Sequence, residues 1–296
     1  MKTIEAGTRI EIKNVLFATD LSPAAAAATP YATAITKRFG ANLYALHVRP
    51  PIINPMTDPS SWPALEQVAR MEEGIEKETL RKAFGAIEPK VIIEEGDFWS
   101  ALASATEKNN IDLIVMGTHG RTGIGKALLG SIAEEVFRTA SCPVLTVGPE
   151  ATTSPKYGEF TQILYATDFS PESFAAAPYA ISLAQEFQAN LTLLHVIGEP
   201  KTGELVRSEE LTDSALSRLR GMVPEGAALW CVPQFAVENG PIADRILEVA
   251  KRRKADLIVL GVRRPAGFPG AATHLPITTA HKVVTHAGCP VLTVRG

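Results

Sequence analysis

The chain has 296 residues, with 29 Lys and Arg against 32 Asp and Glu, a formal charge of −3, and 46% apolar against 21% charged residues. At roughly 100–200 residues per domain the length predicts about two domains. The apolar share excludes a disordered tail protein, and the balance of charge argues against a nucleic-acid protein acting through a basic field. Three cysteines, Cys142, Cys231 and Cys289, are too few for a disulfide framework and fit a reducing compartment. No stretch reaches the roughly 20 apolar residues a bilayer span needs. The start, Met1-Lys2-Thr3-Ile4-Glu5, lacks the apolar centre of a signal peptide. The expectation is a cytoplasmic protein.

Taken in chain order, Asn14–Thr19 is a short apolar run of the kind buried on both sheet faces. Pro23–Phe39 is Ala-rich and of helical length, with Gly40 as its stop. Asn42–Val48 is a second strand, and Pro50–Pro63 is too rich in proline for regular structure. A charged helix is predicted over Ala64–Phe84 and a strand over Lys90–Glu94. Helix Phe98–Asn109, strand Ile111–Gly117, helix Ile132–Ala140 and strand Pro143–Val147 complete the series. The chain then repeats itself. Asn14–Pro23 returns as Gln162–Pro171, and Ala41–Val48 as Ala189–Val196, both at an offset of 148 residues. Ile111–Gly117 returns as Ala255–Gly261, and Cys142–Val147 as Cys289–Val294, at offsets of 144 and 147. That period is too long for a solenoid. It predicts two copies of one domain, 1–150 and 155–296, joined where Pro149, Pro155 and Gly158 punctuate the chain. Alternating strands and helices predict a doubly wound parallel sheet in each copy.

In such sheets ligands bind outside the carboxyl ends of the strands, where strand order switches. Strand one ends in Thr19-Asp20. The carboxylate there suits a hydrogen bond from a ribose hydroxyl or an amino group, and Ser22 or Asp20 also suits the cap of the next helix, with Pro23 in its first turn. Strand four ends in Gly117-Thr118-His119-Gly120, and nine residues later comes Gly130-Ser131 at a helix start. Glycines admit a phosphate to backbone N–H groups, and a helix N-terminus favours an anion. The plainer reading is a glycine-rich connector with Ser131 as an ordinary cap. Inside it, Gly120-Arg121-Thr122-Gly123-Ile124-Gly125-Lys126 imitates a Walker A loop, but Ala127 stands where that motif needs Ser or Thr for Mg²⁺.

On Ala18-Thr19-Asp20-Leu21-Ser22, Leu46-His47-Val48, Asp112–Gly117, Ser141–Val147 and the spacing Gly117, Gly120, Gly130-Ser131, the chain resembles the universal stress protein family in its tandem form, over essentially its whole length. The resemblance implies two Rossmann-like, five-stranded α/β domains that pair through their last strands into a pseudo-dimer. It also implies ATP binding in one subset of the family and no nucleotide in the other. Carried over, Asp20, with Thr19 beside it, meets the ribose or adenine side. Val48 offers backbone hydrogen bonds to adenine beside Ala18 and Met116. Gly117, His119 and Gly120 hold ribose and phosphate, and Gly130, Ser131 and Ile132 bind the phosphates. Asp20 is the candidate ligand for an accompanying Mg²⁺. The function implied is a nucleotide-dependent stress response or signalling through the first domain, with further association of chains into a homodimer. The competing reading is a slow ATPase or nucleotidyl-transfer enzyme in the same pocket. Against it, the loop has no evident general base and no acidic pair for two metals.

The second copy departs from the pattern. Arg264 replaces the second glycine, and Ile277-Thr278 replaces Gly-Ser, so no ATP is expected there, although Asp168 and Val196 keep half of an adenine site. Arg263 and Arg264 suit an anion or simply a solvated loop. His47 and His195 read as hydrogen-bonded residues at the crevice edge rather than metal ligands. The cysteines read as packing. Lys251–Lys254 reads as charge at a helix C-terminus, because this copy is balanced at 14 basic and 14 acidic residues. Pro50–Pro63 suits either a lid or a surface loop anchored by Trp62.

Overall fold

The computed structural model describes residues 9–50, 58, 60, 62–118, 130–149, 151, 159–198, 208–223, 231–263 and 278–296. The first half runs β1 (Asn14–Thr19), α1 (Pro23–Ala26), α2 (Thr29–Phe39), β2 (Asn42–Arg49), α3 (Trp62–Ala83), β3 (Lys90–Glu95), α4 (Phe98–Lys108), β4 (Leu113–Gly117), α5 (Ser131–Thr139) and β5 (Val144–Val147). The second runs β6 (Gln162–Ala166), α6 (Pro171–Phe187), β7 (Asn190–Ile197), α7 (Ser208–Arg220), β8 (Gln234–Asn239), α8 (Ile242–Arg253), β9 (Leu257–Val262), α9 (Thr279–His286) and β10 (Val291–Arg295).

All ten strands form one sheet in the order β3-β2-β1-β4-β5-β10-β9-β6-β7-β8. Every pairing within a half is parallel. The expected union of the last strands is present: β5 and β10 pair antiparallel, with Leu145 opposite Leu292. Thr146 donates its hydroxyl to Val291 O at 3.1 Å, and Thr293 donates to Val144 O at 3.2 Å, a reciprocal pair about the pseudo-twofold axis. Pairing the two edges removes the open strand each half would otherwise expose.

Alternation along each strand sends successive side chains to opposite cores. Val15 and Phe17 join Tyr31, Ile35 and Leu80 on one face, and Leu16 and Ala18 join Leu102 and Val136 on the other. The first of these cores is shared by both halves. Tyr31 stacks on Phe160 with ring centroids 6.1 Å apart, and Phe160 meets Phe187 edge-on at 5.0 Å. On the other face α5 and α9 meet, with Glu134 3.6 Å from His281 Nε2.

One expectation needs correction. The helix expected over Pro23–Phe39 is broken into α1 and α2. Pro30 cannot donate an N–H, and its ring crowds the carbonyl four residues back. The equivalent Pro178 lies inside an unbroken α6. In the first half the break comes before the proline: Ala27 and Ala28 donate to Ala24 O and Ala25 O, and Thr29 and Pro30 open α2, where a missing N–H costs nothing. Trp62 opens α3 and is 38% exposed. Residues 51–57, 59 and 61 of the expected lid lie outside the described residues.

No helix among the described residues is long and apolar enough to cross a membrane.

Candidate functional site

In each half the strand order switches between β1 and β4, or β6 and β9, and the carboxyl ends of these strands open a crevice. Its first wall is a turn in which three local side-chain hydrogen bonds recur. Leu21 N–H donates to Thr19 Oγ1 at 3.0 Å, Ser22 N–H donates to Asp20 Oδ1 at 3.0 Å, and Ala25 N–H donates to Ser22 Oγ at 3.1 Å. Ser22 is therefore the helix cap, and Asp20 braces the turn ahead of it. The turn holds Leu21 at φ 64°, and its copy Phe169 at φ 62°. Non-glycine residues rarely adopt that region. The same three bonds recur through Thr167, Asp168 and Ser170. His47 Nδ1–H donates to Thr19 O at 2.8 Å, and His195 does the same to Thr167 O. Both imidazoles thus tie the second strand of their half to this turn.

The second wall comes from β4 and α5. Gly117 lies against α1 so closely that a Cβ there would meet Ala25 Cα at 3.0 Å. Gly130 N–H donates to Thr118 O at 2.9 Å, and a Cβ on Gly130 would sit 2.9 Å from the same oxygen. Glycine at both positions thus has a packing cause. Gly130 caps α5 without a side-chain hydrogen bond, and its own N–H is already spent. The N–H groups of Ser131 and Ile132, at the start of α5, have no intrahelical acceptor. Ala18 and Met116 are buried behind the crevice, and Val48 is half-buried at the end of β2. The structure thus brings Ala18, Thr19, Asp20, Val48, Met116, Gly117, Gly130 and the backbone of Ser131 and Ile132 to one end of the sheet. His119 and Gly120 lie outside the described residues, as does the Walker-like segment.

The second half has the same crevice with a different rim. A cavity of about 130 Å³ is lined by Ala166, Thr167, Leu194, Val196, Ile246 and Gly261, among others. Arg263 lies 3.8 Å from both Asp168 and Glu172, so its charge is turned on carboxylates of its own half. Burial works against the Asp168 charge, but hydrogen bonds from Ser170, with help from Ser173 and Arg263, outweigh it and hold the carboxyl below its usual range. Thr278 caps α9 by accepting from His281 N–H at 3.2 Å, where Gly130 offers α5 no such group. Arg264 and Ile277 lie outside the described residues.

The pattern Asp-Leu-Ile-Val in both copies has a structural role at the opposite end of the sheet. Asp112 accepts from the N–H of Lys13 and of Asn14, at 2.8 and 2.9 Å, and Asp256 accepts from Thr161 and Gln162. Two full-length copies share these acids because each fastens the start of its first strand. Sequence reasoning missed Arg49, 13% exposed at the end of β2. It donates to Ala69 O at 3.0 Å and to Glu73 at 3.3 Å, which fastens α3 beside Val48. The only signal was a lone cation following a buried strand. Burial pushes the Cys142 and Cys289 thiols up to about 12, and Cys231 to about 11, which fits packing rather than reactivity. Among the described residues no group of three or more His, Cys, Asp or Glu could hold a metal, so a Mg²⁺ at Asp20 would depend on phosphate oxygens for its other ligands.

The universal stress protein family model matches this chain twice, over residues 11–148 and 159–295. The chain belongs to the universal stress protein family. A universal stress protein of Mycolicibacterium smegmatis is 30% identical over 300 residues, covering 95% of this chain and 96% of that one. One from Methanocaldococcus jannaschii is 37% identical over 142 residues, 46% of this chain and 81% of its own. A crystal structure of a universal stress protein from Archaeoglobus fulgidus superposes with a TM-score of 0.69 at 22% identity, over 97% of this chain and 99% of that one. This tandem universal stress protein therefore carries two copies of the family domain in one continuous sheet.

Proposed function

We propose that the first half, residues 1–150, binds ATP in its crevice, and that the protein acts in a nucleotide-dependent stress response or signalling. The half formed by 155–296 takes no triphosphate. One observation carries this reading: α5 begins on Gly130 with no side-chain cap, and a 2.9 Å hydrogen bond from Gly130 N–H holds that start against the end of β4, beside the Thr19-Asp20 turn. Uncapped N–H groups and the helix dipole there suit a phosphate. Val48, Ala18 and Met116 suit the flat apolar face of a base, and Asp20 suits a ribose hydroxyl. Assembly of two chains and a cytoplasmic setting belong to the same reading.

The test is mass spectrometry of ligand released from the purified full chain, followed by calorimetric titration with ATP. One equivalent of ATP per chain is expected. Gly120→Arg, which imports the second copy's residue, should weaken it by about a hundredfold, or about 2.7 kcal/mol, and Ser131→Ala by about tenfold. Unchanged affinity in Gly120→Arg would overturn the proposal.

A further inference from the structure

One helix carries apolar side chains on its outer face as well as its inner one. α3 rests on the shared core through the buried Leu80, and Arg49 of β2 binds it at Ala69 O and Glu73. Met71 stands nine residues before Leu80, about 180° around the helix, and so points away from the protein. It is 64% exposed, with Ile75 at 66% and Val68 at 49% beside it. Their spacing is that of an apolar helix seam. On the same outer side lies Gly74. Its φ is not positive, and a Cβ there would meet nothing within 4 Å. Neither its backbone nor its packing requires glycine, which is a poor helix former. A close approach from outside the chain would require it.

The charges around Gly74 indicate what approaches. Glu66, Arg70, Gly74, Glu78 and Lys82 recur at every fourth position and form one ridge along the helix, with all four charged side chains exposed. The signs run minus, plus before the glycine and minus, plus after it. A second α3 laid antiparallel across Gly74 therefore sets Arg70 of each copy opposite Glu78 of the other, and Glu66 opposite Lys82. A parallel copy would set each charge against its like. Among the described residues the ion pairs within α3 are Glu73–Lys77 and Glu78–Lys82, so Arg70 has no partner on its own helix.

We infer that two copies of this chain assemble through α3, antiparallel and crossing at Gly74. This names the surface for the assembly of two chains proposed above, and it is independent of what either crevice binds. Met71 and Ile75 of each copy close over the glycine of the other. The same patch meets itself, so the contact is isologous and closes at two chains. The equivalent helix α7 has 13 residues and no glycine, and Leu211 is its one large exposed apolar side chain. One helix face per chain lies at the low end of stable interfaces, so the dimer is a reversible one of micromolar strength.

Sedimentation equilibrium of the full chain over micromolar concentrations tests this. Met71→Glu with Ile75→Glu, at exposed positions, should weaken the dimer at least about a hundredfold while the far-ultraviolet circular dichroism stays that of the wild type. Gly74→Leu should raise the urea midpoint of the monomer, because leucine is the better helix former, yet weaken the dimer at least about tenfold. Arg70→Glu should weaken it about tenfold, and Arg70→Glu with Glu78→Arg should return it to within about threefold of wild type. A dimer unaffected by the Met71 and Ile75 changes or by Gly74→Leu, or a charge exchange that restores nothing, would overturn the inference while two-chain assembly itself stands. A wild-type chain that is monomeric throughout would overturn both, and would leave the stripe to another occupant, a segment of this chain or a different protein.

Discussion

Gly117 and Gly261 stand at equivalent strand ends, yet they are not equally replaceable. A Cβ on Gly117 would meet Ala25 Cα at 3.0 Å and Ala24 O at 3.2 Å, while one on Gly261 would meet Glu172 O at 2.3 Å and Ser173 Cα at 2.4 Å. Both sets of contacts are with backbone and neither can be relieved by a rotamer, but those at Gly261 are shorter than the ones at Gly117 and demand a larger shift. Gly261→Ala should destabilise the protein by about 2–3 kcal/mol, at the upper end for overpacking, and Gly117→Ala by less than about half as much. Urea midpoints at unchanged slope would check this ordering. The comparison also explains why the first glycine of the signature persists in a half that has lost the rest: it lets a helix lie against a strand end, whether or not a ligand comes. At the same scale, Thr19 and Asp20 were legible as polar residues at a strand end. That each would accept from the N–H two residues on was written in the Thr-Asp-X-Ser spacing, and only the left-handed Leu21 made it visible.

Among elements, α5 and α9 are equivalents that begin differently. Thr278 supplies α9 with a hydroxyl that accepts from His281 N–H, whereas Gly130 supplies α5 with nothing but a close approach to Thr118 O. Replacing Thr278 by Ala should therefore cost about 1 kcal/mol, the usual value of such a cap, read as a fall in the urea midpoint. It should not create ATP binding in the second half, because Glu172 and Arg263 remain; calorimetry on the variant would show this. The α1–α2 break carries the parallel lesson. Pro30 and Pro178 are identical in kind, yet Pro30 falls in the first turn of a new helix and Pro178 in the middle of a continuous one.

The whole molecule is a single sheet with a core that crosses the junction of its halves. Tyr31, Phe160, Leu145 and Leu292 belong to one buried cluster. Two domains so joined have no reason to unfold independently. The full chain should melt in a single transition, with tryptophan fluorescence and far-ultraviolet circular dichroism coinciding. Leu292→Ala, at a fully buried site in that shared cluster, should lower the transition as a unit by about 2–5 kcal/mol. Separate transitions for the two probes would show the halves to be autonomous.

The sequence by itself determined the duplication, the strand and helix order, the parallel sheets and the strand ends at which a ligand would sit, because apolar periodicity and repeat offsets are local, additive signals. It also marked which half kept its glycines. Tertiary structure alone decided what each conserved-looking residue in the two copies is for. Asp112 and Asp256 stitch the far end of the sheet, His47 and His195 hold the turn, and Arg49 fastens α3, since each of these pairs residues that lie 20 to 100 positions apart. It alone decided, too, that Arg263 faces two carboxylates. A charge in a sequence has a sign, but its partner is chosen only when strands and helices bring distant side chains within a few ångströms of each other.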